Sequence, residues 1–316
     1  MQSADHMDTE LLDRLATYGS CEAGIGGALI TLVGPKPGLE DTYNRWYEDD
    51  HYISGALAWP WVFAGRRWMA TRRLFATHAP DDSTLVPEAL HSAFAHLYWI
   101  ATEHVDDVEY FATVSVSELA KQGRMSADRV HIYTHFQDYH GAAYRDADGP
   151  RDIHALNHPY RGMVLEVIDA PDADQRRDLQ KWYLSERAPA VLARGSAAMC
   201  LLFSPRPHPA NMPADIVASV PPINPGRLTA LWFLDDDPGT AVETLFHDEA
   251  ETVAAAGLGD VQLIISSRPG RDRDERADRR DALKHGSCVL GYPKSSGDEH
   301  ARSPQRRRAT GPCQAR

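Results

Sequence analysis

Histidine, carboxylates and tyrosine cluster in the string Tyr43-Asn44-Arg45-Trp46-Tyr47-Glu48-Asp49-Asp50-His51. On a helix, Tyr43, Tyr47 and His51 fall at i, i+4 and i+8 along one stripe, and Trp46 and Asp50 form a neighbouring i, i+4 pair. An aromatic stripe most often means core packing. His51 differs because Asp49 and Asp50 stand beside it. A nearby carboxylate can hold an imidazole in one tautomer and raise its pKa. His51 is therefore a candidate general acid or base, oriented by Asp50. The competing reading is a structural histidine near a helix end, bonding a carbonyl or packing on a sheet.

A second cluster is Val130-His131-Ile132-Tyr133-Thr134-His135-Phe136. On a strand, His131, Tyr133 and His135 share one face, which suits the lining of a polar cavity or a solvent-facing sheet edge. On a helix, His131 and His135 would instead stand at i, i+4, as a metal pair could. No HExxH-like acid supports that option, and no metal is expected. Trp59, Trp61, Phe63 and Trp68 fall within ten residues, with Tyr98 and Trp99 further on. Such aromatics build sheet cores, or they hold a flat hydrophobic ligand. Arg66 and Arg67 could grip a ligand phenolate or carboxylate, or pair with surface acids.

The elements that must position these groups come from an internal repeat. Residues 27–70 and 162–205 share one grammar. Each opens with an apolar strand, Ala28–Val33 or Met163–Ile168, and passes through a turn with Pro and Asp into a helix. The first helix runs from Glu40 to about Leu57 and carries Arg45-Trp46-Tyr47; the second carries Lys181-Trp182-Tyr183. Each repeat then enters a second strand, Phe63–Met69 or Ala197–Phe203. Periodicity adds a strand at His96–Thr102, a helix at about Val105–Gln122 and a strand at Arg129–Gln137. The other half continues with a strand at Leu228–Leu234, a helix at Gly239–Ala255 and a strand at Asp260–Ser266. Both halves read β-α-β-β-α-β, the ferredoxin-like order of an α+β protein. Expected boundaries are an N-terminal segment over residues 1–24, modules over 25–138 and 161–267, a polar link over 139–160 and a disordered basic tail over 268–316. Each four-stranded sheet leaves one apolar face to be covered. Two tandem sheets laid face to face would enclose a space into which His51 projects. Pairing with a second chain is the alternative, so a homodimer is possible.

The helix reading Tyr43 to His51, followed by a strand carrying Gly65-Arg66-Arg67, resembles the EthD-like branch of the dimeric α/β-barrel superfamily. The likeness covers residues 25–137. Residues 162–267 match in pattern only, because Glu186-Arg187 stands where the first half has Asp50-His51. The resemblance implies a dimeric α/β-barrel-type arrangement. The wider superfamily holds polyketide cyclases, dehydratases, lactone isomerases, cofactor-free monooxygenases and heme enzymes, so fold does not settle the reaction.

The 316-residue chain has a net charge of −12, and 43% of its residues are apolar. From Arg268 onward there are 13 basic and 7 acidic residues, which leaves residues 1–267 with 20 and 38, a balance of −18. An acidic body repels phosphate backbones, so nucleic acid is not an expected partner. No apolar run approaches the ~18 residues of a membrane span. Met1–Leu11 carries no basic n-region, so no secretory signal is expected. The scattered Cys21, Cys200, Cys288 and Cys313 point to a reducing cytoplasm. Nucleotide loops, the GxSxG elbow and the zincin motif are absent. The expected protein is a cofactor-independent enzyme that dehydrates, cyclises or isomerises a small aromatic or polyketide-like molecule. His51 moves the proton. Asp50, Tyr47 and His135 assist it, and Trp46, Trp59, Trp61, Trp68, Arg66, Tyr133 and His131 contact substrate. Arg187 could offer its charge from the opposite wall. The alternatives are a heme protein with His51 or His135 as axial ligand, and a non-catalytic binding protein.

Overall fold

The computed structural model describes residues 23–88, 90–208, 218 and 222–270. The expected N-terminal segment and basic tail therefore lie outside the described residues, except at residues 23, 24 and 268–270. The first half runs β1 (Ile25–Pro35), α1 (Glu40–Trp46), β2 (Val62–Ala70), α2 (Arg72–Phe75), β3 (Ala93–Ala101), α3 (Val105–Lys121) and β4 (Arg129–Tyr144). The second runs β5 (Gly162–Asp169), α4 (Ala173–Trp182), α5 (Ala188–Leu192), β6 (Ala197–Pro205), β7 (Arg227–Leu234), α6 (Pro238–Leu245), α7 (Glu249–Ala256) and β8 (Asp260–Pro269). Helix starts follow local chemistry. The Asp172 carboxylate accepts from the first-turn amides of Asp174 and Gln175, and Asp237 caps α6 with Pro238 behind it.

The eight strands close into one antiparallel barrel in the order β1-β3-β2-β8-β5-β7-β6-β4. Each half contributes a ferredoxin-like sheet, β4-β1-β3-β2 or β8-β5-β7-β6. The protein is thus α+β, with two tandem modules in a dimeric α/β-barrel-type arrangement completed inside one chain. The seams are unequal. β4 and β6 pair from Gln137↔Pro205 to Tyr144↔Met199, whereas β2 and β8 meet only at Trp68↔Pro269 and Met69↔Arg268. The long seam moves an expected boundary. β4 runs to Tyr144, through the start of the polar link, because β6 of the other half gives those residues hydrogen-bond partners.

The sheets do not face each other across an empty chamber. Eight strands leave a lumen that side chains fill, and here Ile30, Leu32, Trp68, Trp99, Tyr133, Leu165, Met199, Phe203 and Phe233 belong to one buried cluster. Strand faces that point outward are covered by the helices. Central strands are therefore apolar on both sides: all nine residues of β3 and all eight of β7 are buried.

Candidate active site between the first helix layer and its sheet

The helix bearing His51 is not a continuous α-helix. After α1 it passes through two π turns, Tyr47–His51 and Ile53–Leu57. A π turn closes i→i+5 rather than i→i+4, which brings residues five apart onto one side. Trp46 and His51 are five apart, and their rings stack with centroids 4.2 Å apart and planes inclined by 21°. The Asp50 predicted to sit beside Trp46 is displaced from that position. The second module keeps the π turn, at Tyr183–Arg187.

His51 lines a cavity of about 200 Å³ on the outer face of the first sheet. Its floor is Leu29, Thr31 and Val33 of β1 with His96 and Tyr98 of β3; Ala112, Thr113 and Val116 of α3 form one wall. Trp46, Tyr47, Ala56 and Trp59 come from the α1 layer, and Arg129, His131, Thr134 and Phe136 from β4. Most of the lining surface is aromatic and aliphatic, with imidazole, hydroxyl and guanidinium groups set into it, as in small-molecule sites. Gly55 shapes it: a Cβ there would stand 2.5 Å from the His51 ring, so the imidazole lies against bare backbone.

Two polar atoms in this lining lack partners. His51 Nδ1 and His96 Nε2 are buried without a hydrogen bond. His96 Nδ1 is bonded to Thr31 Oγ1 at 3.0 Å, and the ring stacks on Tyr47 at 4.0 Å. The hydroxyls of Tyr47 and Tyr98 share a 2.5 Å hydrogen bond. Arg129 Nε donates to His131 Nε2 at 3.3 Å. That nitrogen is therefore the acceptor, which leaves His131 Nδ1–H to donate to Thr134 Oγ1 at 2.8 Å. All three imidazoles are held neutral. Burial, then the Arg129 charge, takes His51 down to about 3 and His131 to about 4. Burial followed by Arg67 pushes His96 well below the usual histidine range.

The structure corrects several expected roles. Asp50 does not orient His51: its carboxylate is bonded to Arg124 and accepts from Ser54 Oγ at 3.1 Å, which lowers its pKa. His131, Tyr133 and His135 do not share a face. A register shift between Leu32 and Val33 inverts the alternation, so Val33 meets His131 on the helix side while Leu32 meets Tyr133 in the lumen. Tyr133 shares a 2.8 Å hydrogen bond with Thr229, and His135, 2% exposed, stacks on His208. Trp68 also fills the lumen, edge-on to Phe233. Arg66 lies over Trp68 and donates to the carbonyls of Leu156 and His158. Trp61 stacks on His104 at 4.3 Å, outside the cavity lining. Arg187 faces its own module's sheet, where it binds Glu249 beside Tyr183. Trp46, Tyr47, His51, Trp59 and His131 are the expected residues that meet at one place. Tyr98, singled out by sequence among the aromatics that could hold a flat ligand, joins them. His96, Arg129 and Gly55 are not among the sequence candidates; the period-two spacing from His96 to Tyr98 is the available signal for His96.

No family model matches the chain, and no curated protein matches it. Solved structures do. An anthrone oxidase-like protein is similar at a TM-score of 0.45 and 9% identity, over 79% of this chain and 93% of that one. A putative monooxygenase from Fusobacterium nucleatum is similar at 0.43 and 8%, over 78% and 94%. A putative chlorite dismutase is similar at 0.42 and 12%, over 79% and 98%. Identities this low carry no residue-to-residue correspondence, so the site stands on its own atoms.

The cavity beside His51 is small for a heme. A volume of about 200 Å³ is below the about 300 Å³ at which pockets begin to hold drug-sized ligands, and a porphyrin is larger still.

Proposed function

We propose that the chain is an enzyme acting on a small, flat, hydrophobic or aromatic molecule held between the helices and sheet of its first module. The reaction is proton transfer without an organic cofactor, of the dehydration, cyclisation or isomerisation type, as the EthD-like string Tyr43–His51 also suggests. The observation that carries this reading is the set of unpartnered nitrogens on His51 and His96 inside an otherwise greasy cavity. Buried polar atoms are normally paired, and orphans in a cavity wall are what a ligand would satisfy. Neutral His51 acts as the base. Proton abstraction leaves an imidazolium beside an anionic ligand, and that new negative charge offsets the desolvation that depresses the imidazole in the free protein. Trp46 and Trp59 hold the ring. The lining residues all belong to the first module.

The test is turnover across a panel of phenolic and polyketide-type aromatics. On the compound turned over best, His51→Ala should lower kcat by about 10²-fold or more, the usual loss with a general base, while far-UV circular dichroism stays unchanged. A folded variant with undiminished kcat would remove His51 from the chemistry.

A further inference from the structure

Arg129 stands at the start of β4, half-buried, with its guanidinium 4.8 Å over the Trp46 ring. Nη1 donates to the Ser126 carbonyl at 3.0 Å and Nε to His131, while Nη2 has no acceptor among the described residues. Four other buried or half-buried arginines hold a carboxylate: Arg67 with Glu48, Arg187 with Glu249, Arg206 with Glu109 and Arg227 with Asp169. Arg129 forms no ion pair with any described carboxylate. A guanidinium in an apolar wall without a counter-charge is costly, because desolvation is not offset by attraction. Its planar fork matches the two oxygens of a carboxylate or a phenolate with its neighbouring oxygen.

We infer that the molecule bound in this cavity carries an acidic oxygen on its ring system, a carboxylate, phenolate or enolate, and that Arg129 receives it as the anion. The inference rests on the proposed reading of the cavity as a ligand site. The three imidazoles kept neutral near Arg129 agree with it, since an anion is the species that would relieve that positive potential. It also moves the expected anion grip: Arg66 and Arg67, the arginines singled out by sequence, are engaged elsewhere.

Fluorescence titration of the full chain at neutral pH with 2-naphthoate and its neutral counterpart 2-naphthamide tests this. The wild type should bind the naphthoate about tenfold or more tightly, the scale of one charge-assisted hydrogen bond. Arg129→Gln should erase that preference while leaving naphthamide affinity within about threefold, and Arg129→Lys, which keeps the charge, should retain part of it. Equal binding of the two probes by the wild type, or a preference surviving in Arg129→Gln, overturns the inference and leaves the cavity reading standing. If neither probe binds the wild type, the cavity reading falls and this inference with it.

Discussion

An imidazole packed against an indole and walled by aliphatic side chains is stable only without its proton. Burial holds His51 at about 3 in the folded protein, against an ordinary 6.5. The depressed value sets the sign of its pH dependence. Above the unfolded pKa both states are neutral and the group's stabilisation is complete. As pH falls from 6.5 toward 3 the unfolded chain takes the proton first, and stability is lost. His131, lowered to about 4, adds in the same direction. Urea unfolding midpoints should therefore fall between pH 6.5 and 4 more steeply in the wild type than in His51→Leu. Parallel curves for the two proteins would mean that His51 is solvated rather than buried.

At the scale of the element, the π turn does the positioning. It swings the chain so that His51, not Asp50, meets Trp46, and the bare backbone of Gly55 leaves room for the ring. Gly55→Ala should fold, since the conflict is with the movable end of a side chain, yet push the imidazole out of place. The expected loss in kcat is about tenfold or more, toward the about 10²-fold that a 1 Å misplacement can cost, with little change in melting temperature. Retained kcat would show that the exact seat of the ring is unimportant. The second module shows the same element carrying a different side chain. There Arg187 takes the place of His51 and, with Glu249 and Tyr183, fills the space beneath the helices. Glu166 and Trp232 bond to each other on that sheet face. In one copy the element lines a cavity, and in its twin an ion pair stands at the equivalent place.

At the scale of the molecule, the barrel separates two populations of aromatic residues. Trp68, Trp99, Phe203 and Phe233 fill the lumen and hold the halves together; Trp46, Tyr47, Trp59 and Tyr98 face the cavity. The division predicts a clean split between stability and binding. Trp68→Ala should cost about 3–5 kcal/mol of stability, as large-to-small changes in a packed core do, with 2-naphthoate affinity retained in the folded fraction. Trp46→Ala should weaken that binding far more than it lowers stability. Denaturant titration and fluorescence binding on the same samples read both, and loss of binding in the folded Trp68 variant would contradict the placement.

Much of this architecture was legible in the residues themselves. Strand periods, the recurring basic-Trp-Tyr triplet and the turn chemistry are local signals, and they specify two βαββαβ modules and His51 as a candidate base. The sides on which side chains stand were not legible, for reasons that are all long-range. A one-residue irregularity opposite Leu32–Val33 sends Tyr133 and His135 to the lumen and His131 to the cavity. A π turn changes the phase of a helix whose spacing reads as α. Whether the space between sheets is open or filled depends on the summed volume of side chains from eight strands, which no single segment carries. Sequence determined which groups exist and in what order; packing and register decided that the cavity lies outside the barrel, and that Arg129 and His96 rather than Asp50 and His135 line it with the imidazole.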